Sequence, residues 1–315
     1  MSDPKPDRRL FDPRLGYAAL VLAGIGAPFV VYPVFAMDVM CFALFASAFN
    51  LLLGYTGLLS FGHAAYLGAA GYVCGYCCKV LGWPTEFAIL AGTLVAAGLG
   101  YVIGSLAIRR SGIYFAMITM SFAQLVYFLA VQWKWTGGED GLQGVPRGKA
   151  LGLFDLSSSL GMYYFVYVVF LLGFLVIHRT IHSPFGQVLR SIRENEPRAL
   201  SLGYDVARYK LVAFVLSAGL SGLAGATKAL VFQLTSLTDV HWHMSGEVVL
   251  MTLLGGMGTV LGPSVGALLV VTLQNQLTSL GAWVPVLTGC CFVVCVLAFR
   301  RGIVGELQAL VKRSF

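Results

Sequence analysis

The sequence predicts an all-α, polytopic bundle of transmembrane helices, and three observations support this fold class. Hydrophobic residues make up 58% of the 315 residues, and the mean hydropathy is +0.81. Only 11% of the residues are charged, whereas soluble domains carry about 25%. Apolar runs of roughly 20 residues, the length that crosses a bilayer as a helix, recur along the chain. Much of the surface is therefore expected to contact membrane lipid.

Seven apolar runs are predicted to be membrane spans. They occupy 17–36, 37–53, 57–78, 87–108, 112–132, 160–178 and 211–234. The first run is too long for the core of a signal peptide, so it is predicted to be retained.

The stretch 246–299 is apolar but interrupted by two glycine clusters. These are Gly255-Gly256-Met257-Gly258 and Gly262-Pro263. We expect two short helices, 246–256 and 263–277, that form a re-entrant pair, and then a full span, 284–299. Irregular backbone at membrane depth is tolerated where protein surrounds it or where it lines a cavity. The total is about 8–10 membrane segments of the usual length.

The distribution of Lys and Arg orients the chain. With the N-terminus in the cytoplasm, 16 bases fall on the cytoplasmic side and four on the outside, which is the asymmetry of membrane proteins. The predicted organisation is a cytoplasmic tail (1–16), a transmembrane permease domain (17–299) and a second cytoplasmic tail (300–315), with an outer loop near 133–159 and a cytoplasmic loop near 179–210. Because the bases lie in short clusters between spans, the net charge of +7 does not indicate a nucleic-acid partner.

The cytoplasmic loop is predicted to contain two short helices. Ser183 and Pro184 supply a cap and a first-turn proline for the first one. Its apolar face consists of Phe185, Leu189 and Ile192, and Arg190, Arg193 and Glu194 point elsewhere. The second helix runs from Glu196 to a terminating Gly203. Such helices either receive the motion of a partner motor protein or rest on anionic lipid of the inner leaflet.

Three sequence blocks go beyond composition. They are Gly54–Ala69, the loop just described with its continuation into Lys210 and Ser217–Gly225, and Gly255–Pro263. Together with Thr136–Leu142 in the outer loop, they resemble the permease subunits of high-affinity branched-chain amino-acid ABC importers, of the LivM type. The blocks keep the order of that family.

The resemblance implies one half of a translocation pathway in the bacterial cytoplasmic membrane. The implied partners are a homologous second permease subunit, two cytoplasmic ATP-binding subunits and an extracytoplasmic binding protein that delivers Leu, Ile or Val. No cofactor and no metal is implied. The sequence agrees with this division of labour, because no G-x-x-x-x-G-K-[ST] phosphate loop occurs. ATP hydrolysis is therefore expected on partner subunits, and no catalytic residue is predicted here.

Two groups of site residues follow from the amphipathic loop, from the glycine-rich breaks and, for Glu196–Gly203, from the resemblance. Candidates for coupling to the ATPase are Leu189, Ile192, Arg193, Glu194, Glu196, Arg198, Ala199, Leu200 and Gly203. Among them, we expect Leu189, Ile192 and Leu200 to be apolar anchors and Arg193, Glu194 and Arg198 to surround them. Candidates for the translocation path or gate are Gly62, His63, Gly255, Gly256 and Gly258. The loop departs from the EAA pattern of other importers.

Three ionisable residues within or beside the spans have two interpretations each. His63 either takes part in gating or bonds a local backbone carbonyl. Lys228 either extends to the interface or attracts a substrate carboxylate. Glu247 either caps a helix start or contacts a substrate ammonium group.

Other functions remain open on the residues alone. The same architecture would serve urea, short amides or other amino acids. A self-sufficient transporter driven by protons or sodium would place ionisable groups at mid-membrane depth, where only Lys228 and Glu247 come near. A membrane enzyme would need clustered His, Glu, Asp or Cys, and only His241-Trp242-His243 approaches this.

Overall fold

The computed structural model describes residues 24–150, 154–277, 283, 286, 289, 290, 293 and 302–306. Within them, the α-helices are α1 (Pro33–Thr56), α2 (His63–Lys79), α3 (Thr85–Ala107), α4 (Ile113–Gln132), α5 (Ser159–Ile181), α6 (Pro184–Glu194), α7 (Glu196–Ser201), α8 (Val206–Phe232), α9 (Trp242–Gly255) and α10 (Gly262–Leu277). Helices α1, α3, α4, α5 and α8 are long and apolar enough to cross a membrane. The predicted all-α, polytopic bundle is confirmed.

The few strands are two residues long. They are β1 (Leu142–Gln143), β2 (Lys149–Ala150), β3 (Phe154–Asp155) and β4 (Leu234–Thr235). β1 pairs antiparallel with β4, and β2 pairs antiparallel with β3. Three 3₁₀ turns, Lys134–Thr136, Gly138–Asp140 and Leu237–Asp239, lie beside them.

Helices α1 and α8 form the centre of the bundle. In their membrane-length windows, 78% and 72% of the residues are buried, against 28% in α4. The other helices pack around this pair, and large aromatic side chains such as Phe45, Phe49 and Phe214 fill the contacts. The outward faces of α3, α4 and α5 remain apolar and exposed, as expected of surfaces that contact lipid.

Small residues of α3 allow its backbone to approach the neighbouring helices closely. A Cβ on Gly92 would lie 2.6 Å from the Ala70 carbonyl oxygen of α2, and one on Gly104 would lie 2.8 Å from the Phe214 ring of α8. Small residues occur every four positions in α3, at Gly92, Ala96, Gly100 and Gly104; Gly98 lies outside this repeat and has no heavy atom within 4 Å of its Cβ position. Packing of small residues therefore brings α2, α3 and α8 together.

Two predicted boundaries differ from the observed ones. The run 57–78 becomes helical only at His63, because Gly57 ends α1 in the left-handed conformation with φ 75°. Its N–H bonds the Leu53 carbonyl, and the next N–H bonds the Leu52 carbonyl, which is a Schellman-type ending. The break between the first two predicted spans lies just before Pro33, where proline suits the first helical turn.

Several predicted elements lie wholly or partly outside the described residues. They are the N-terminal tail 1–16, the first part of the span 17–36, most of the span 284–299 and most of the tail 300–315. Residues 24–30 are helical.

The bundle has two distinct ends. We call the end that carries α6 and α7 the loop end, and the end that carries β1 and β4 the strand end. Helix α1 runs from the strand end, at Pro33, to the loop end, at Thr56. At the strand end, the Arg147 guanidinium donates to the Leu230 and Val231 carbonyl oxygens at 3.3 and 2.7 Å. These carbonyls lie in the last turn of α8, where they have no partner within the helix, so Arg147 ties the outer loop to the end of α8.

The interrupted segment forms a helical hairpin of α9 and α10. The two backbones approach closely, since a Cβ on Gly255 would meet the Gly262 carbonyl and one on Gly266 would meet the Met251 carbonyl. The helices begin and end at the strand end, and the turn between them lies at the loop end, beside Gly54. The predicted pair of short helices is therefore present, and its turn reaches the far end of α1.

Candidate coupling junction and polar cluster at opposite ends of the bundle

The loop between α5 and α8 folds as its capping residues predict. The Ser183 hydroxyl accepts the Gly186 N–H at 3.4 Å, and Pro184 occupies the first turn of α6. The Asn195 side chain accepts the Arg198 N–H at 3.1 Å and caps α7. The Asp205 side chain caps α8 in the same way. Three successive side-chain caps therefore define the path of the loop.

The apolar face of α6 packs against its own chain. Leu189 and Ile192 are buried, and Ile192 forms a small core with Ala199 and Val206. The expectation that Leu189 and Ile192 anchor a partner is therefore wrong, because neither offers free surface. The most exposed large apolar residues of the loop are Leu200 and Leu202, at 56% and 67% of their full surface.

Arg193 connects the loop to the central helix. Its guanidinium donates to the Gly54 carbonyl of α1, three residues before the cap residue Gly57. Arg190 lies 5.1 Å from the centroid of the Tyr55 ring, a cation–π contact. Arg193 is exposed, so its place at the rim of a partner contact stays a prediction, and its head group also makes an internal contact.

Asn50 connects α1 to the turn of the α9–α10 hairpin. Its side-chain nitrogen donates to the Thr259 carbonyl at 2.8 Å, and its oxygen accepts the Gly258 N–H at 3.0 Å. The side chain is buried, so both halves of the amide are satisfied by backbone. Sequence reasoning missed this residue, although an amide inside an apolar run is a recognisable signal in a membrane helix.

The glycines of the turn are required by backbone geometry. Gly256 has φ 121° and ψ 100°, and Gly258 has φ 81°, which are conformations that glycine adopts without a Cβ penalty. Gly258 also lies beside Arg193, since a Cβ there would be 3.3 Å from the guanidinium. A cleft of about 400 Å³ opens between these residues and Glu194.

These contacts bring the three sequence blocks together. Gly54 comes from the first block, Arg193 from the loop and Gly258 from the turn, and the three meet at the loop end. We call this arrangement the coupling junction. Lys210 extends it, since its ammonium bonds Glu196 at 2.7 Å and ties α7 to α8.

The remaining loop candidates lie at the surface of this junction. Glu194 and Arg198 are exposed, and Gly203 is exposed with φ 85°. Gly203 ends the loop helices in the left-handed conformation, as its predicted role as a terminator requires.

His63 and Gly62 lie inside the bundle. The His63 ring nitrogen Nε2 is 2.9 Å from the Ser217 hydroxyl, which in turn donates to the Ala48 carbonyl at 2.6 Å. Because the Ser217 hydroxyl donates its one hydrogen to the Ala48 carbonyl, it accepts from His63, and the ring proton of His63 lies on Nε2. These two hydrogen bonds join α2, α8 and α1. His63 is fully buried and bonds a side chain of another helix, so the interpretation of a bond to a local carbonyl is corrected, and a part in gating stays a prediction.

Gly62 has a packing role. A Cβ there would lie 2.9 Å from the Thr119 carbonyl of α4, and the residue is buried. Gly255 has a comparable role between α9 and α10. Both glycines are buried, and their place on a translocation path stays a prediction.

A polar cluster occupies the strand end. Lys228 bonds Asp239 at 2.6 Å, with 15% and 13% of the two side chains exposed, and its ammonium lies 4.6 Å from the centroid of the Phe42 ring. Lys228 is therefore held in a buried ion pair instead of extending freely to the interface. Glu247 does not cap α9, since His241 is the cap residue; its side chain bonds Gln274 of α10.

Asp38 belongs to the same cluster and was missed by sequence reasoning. It lies in the second turn of α1, within electrostatic range of Lys228, Asp239 and Glu247. The signal was available, because Asp38 is the only charged residue of α1. Among the described residues, no group of three or more His, Cys, Asp or Glu has the geometry to hold a metal ion.

Comparison with known proteins places the fold in a transport family. Residues 34–299 match the family described as "Branched-chain amino acid transport system / permease component". The chain is 26% identical to the high-affinity branched-chain amino acid transport system permease protein LivM of Escherichia coli K12, over 95% of this chain and 77% of that protein, and the LivM of Salmonella typhimurium matches equally. The ribose import permease protein RbsC of Bacillus subtilis is 32% identical over 42% of this chain and 44% of that protein. No solved structure shows a significant match.

The match extends from the first turn of α1 through α10 and includes both ends of the bundle. The resemblance expected from the three sequence blocks is confirmed. The chain is a multi-pass membrane protein, and it belongs to the family of permease components of the branched-chain amino acid transport system, in which a permease works together with other transporter subunits.

Proposed function

We propose that this chain forms half of the translocation pathway of an ATP-driven importer and that its substrates are branched-chain amino acids. The names of the LivM relatives support the substrate class. The observation that carries the mechanism is the coupling junction: a capped loop with an exposed apolar tip is bonded through Arg193 to the end of the central helix α1.

The loop end faces the cytoplasm in this proposal. The bias of Lys and Arg favours it, because the loop 179–210 alone holds six bases. The strand end then faces the outside of a bacterial cytoplasmic membrane. Cysteines introduced at Asn195 and at Asp140 test this, since only the first should react with an impermeant label from the cytoplasmic side. The opposite labelling pattern would overturn the orientation.

The proposed partners follow from the two ends. At the cytoplasmic side, two ATP-binding subunits dock, one of them on this chain. At the outer side, a binding protein delivers the substrate, and a homologous second permease subunit completes the pathway within the lipid bilayer. No nucleic acid takes part. Selectivity among Leu, Ile and Val rests largely with the binding protein.

The exposed tip of α7 is the proposed docking surface for the ATP-binding subunit. Leu200 and Leu202 are apolar and more than half exposed, and Arg198 and Glu194 surround them with charge. A few central residues carry most of the binding free energy of an interface. The anchors are thus Leu200 and Leu202, and Leu189 and Ile192 support them from below by holding the loop on the bundle.

The coupling junction gives the ATP-driven motion two routes into the bundle. One runs from α6 through Arg193 to Gly54 of α1 and through Asn50 to the α9–α10 turn. The other runs from α7 through the Glu196–Lys210 pair into α8. Because α1 and α8 form the centre of the bundle, a displacement of the loop reaches both central helices directly.

Substitution of Leu200 by Asp tests the docking surface. In a complete transporter in liposomes, Leu200→Asp should abolish stimulated ATP hydrolysis and leucine uptake, because a carboxylate replaces a central apolar contact. Gln187→Asp is the matched control, since it places the same charge on the exposed face of α6 and should leave both rates near those of the wild type. Full retention of the ATP-binding subunits with normal turnover in Leu200→Asp would sink the assignment.

The same liposomes separate the alternative functions. Uptake of labelled leucine should exceed that of urea, short amides and ribose, and it should require ATP and the partner subunits. Accumulation driven by a proton or sodium gradient in liposomes with this chain alone would instead identify a secondary transporter.

A further inference from the structure

We infer that a cavity at the strand end, here called the Asp38 cavity, binds a neutral, zwitterionic amino acid through its ammonium group as the substrate enters the pathway. The inference rests on the proposed function and adds a substrate site to it. The cavity has a volume of about 550 Å³ and lies between the first turns of α1, the end of α8 and the end of α10. Its polar lining includes Asp38, Thr272, Gln274 and Asn275, and its apolar lining includes Phe35 and Phe232.

Asp38 is placed to receive a cation. One of its carboxylate oxygens, Oδ1, is buried and has no hydrogen-bond partner among the described residues. Buried polar atoms are normally bonded, and an acidic residue within a membrane helix is rare unless it serves a function or has a partner. An unused acceptor on a side chain that lines a cavity therefore indicates a ligand that supplies N–H donors.

The neighbouring protein cation is already engaged. Lys228 bonds Asp239 at 2.6 Å and contacts the Phe42 ring. The other nearby acid, Glu247, bonds the Gln274 side chain. Asp38 is thus the one carboxylate of this cluster, within the described residues, that keeps a buried oxygen without a donor. Among the described residues, one cation, Lys228, and three acids, Asp38, Asp239 and Glu247, make up this cluster. A bound positive group would therefore improve the charge balance.

The rest of the lining fits the other parts of such a ligand. Amide side chains donate hydrogen bonds, so Asn275 has the chemistry to bind the substrate carboxylate, while Phe35 and Phe232 offer apolar surface to an aliphatic side chain. The volume falls within the range of about 300–1,000 Å³ that is common for small-molecule sites. A bare metal ion fits less well, because the described residues do not gather three acidic or His ligands.

The position of the cavity fits an entry site. Asp38 lies five residues from the start of α1, and Gln274 lies three residues from the end of α10. With a rise of about 1.5 Å per residue, both side chains lie only a few residues below the strand end, the end that faces the binding protein in the proposed orientation. A substrate released there meets the Asp38 cavity first.

The test uses the complete transporter in liposomes with its binding protein and labelled L-leucine below saturation. Asp38→Asn should lower uptake by about tenfold or more, because it removes a charge-assisted hydrogen bond, and Asp38→Glu should restore a large part of the rate. Glu139→Gln removes a carboxylate from the exposed loop at the same end and should transport like the wild type. Subunit co-purification and ATP hydrolysis stimulated by the binding protein should be unchanged in all three.

The outcomes separate the inference from the function on which it rests. If the wild-type transporter takes up no leucine, the proposed substrate class fails. If the wild type transports and Asp38→Asn transports equally well, the cavity is not a substrate site. If Asp38→Asn loses the second permease subunit during purification, Asp38 pairs with a cation of that subunit, and the inference is overturned. Loss of uptake with intact assembly and intact stimulated hydrolysis supports it.

Discussion

The two ends of the bundle differ in the contacts that join α1 to its neighbours, although each end also holds a contact of the other kind: the Lys210–Glu196 ion pair at the loop end and the bonds of Arg147 to two backbone carbonyls at the strand end. At the loop end, side chains bond backbone: Arg193 donates to the Gly54 carbonyl, and Asn50 bonds both a carbonyl and an N–H of the turn. At the strand end, charged side chains bond each other, as in the pair of Lys228 and Asp239. A side chain that bonds the backbone of another segment moves that whole segment when it is displaced. At the strand end, the acids outnumber the one lysine, and this excess of negative charge favours a positively charged ligand group. The first arrangement suits mechanical coupling, and the second suits recognition.

The two lysine ion pairs offer the sharpest comparison of the ends. In the strand-end pair, both side chains are less than one fifth exposed, whereas in the loop-end pair Lys210 is 8% exposed and Glu196 is 43% exposed. Removing one partner of a buried pair leaves the other charge without compensation, at a cost of about 3–5 kcal/mol. An acid that water reaches loses far less.

Lys228→Met should therefore have the largest effect on stability. We expect a fall in the free energy of unfolding of about 3–5 kcal/mol, because Asp239 would stay buried without its cation. Lys210→Met is the matched control at the loop end, with an expected loss of about 1 kcal/mol, since Glu196 is reached by water. Denaturation of the purified variants by SDS measures both. Equal losses would remove the distinction between the ends.

Gly256→Val should have the next largest effect. A β-branched residue at φ 121° is strained by about 1–3 kcal/mol, and we expect the strain to misplace the turn at the coupling junction and to reduce leucine uptake severely. Gly98→Val is the control, because its Cβ meets no atom within 4 Å. Uptake and yield of the assembled transporter should be near normal in Gly98→Val, and similar tolerance at both positions would contradict the requirement for glycine.

Asn50→Leu should destabilise the chain by about 1–3 kcal/mol, because the Gly258 N–H and the Thr259 carbonyl lose their shared partner. Ser47→Ala is the control on the same face of α1, since Ser47 makes one longer bond of 3.3 Å to Ser264. Its effect should be several-fold smaller. SDS denaturation ranks the two, and a reversed order would show that the amide does not hold the turn.

Arg193→Gln should have the smallest effect on stability and a selective effect on coupling. The variant is expected to keep its partners while transporting fewer leucine molecules per ATP hydrolysed, because the link from α6 to Gly54 weakens. Arg190→Gln, which loses only the contact with the Tyr55 ring, is the control. Parallel measurement of hydrolysis and uptake gives the ratio, and an unchanged ratio in Arg193→Gln would argue against this route.

Much of the fold could be predicted because lipid imposes simple rules. Five of the predicted spans coincide with helices that are long and apolar enough to cross a membrane, and local residues such as Ser183 and Gly203 predict where the loop helices begin and end. The glycines at 255, 256 and 258 predicted a special turn, because glycine adopts backbone conformations that residues with a Cβ avoid.

The site could be predicted only in part. The sequence indicated that the loop and the glycine turn matter, but it could not show that Arg193 and Gly258 lie side by side. It also assigned Leu189 to a partner contact, because an amphipathic face predicts burial without saying against which surface. The hydrogen-bond partner of His63 could not be predicted either, because Ser217 and Ala48 are distant from it in sequence.

The sequence by itself determined the five long apolar helices, the caps, the turn and the family, because each depends on composition or on residues within a few positions of one another. The tertiary structure alone decided the partners of Asn50, Arg193, Lys228 and Asp38. Each of these side chains lies in or beside an apolar helix, where polar groups gain most from a partner, and that partner comes from another helix. Which helix it is depends on how the bundle packs, so the coupling junction and the Asp38 cavity became visible only in three dimensions.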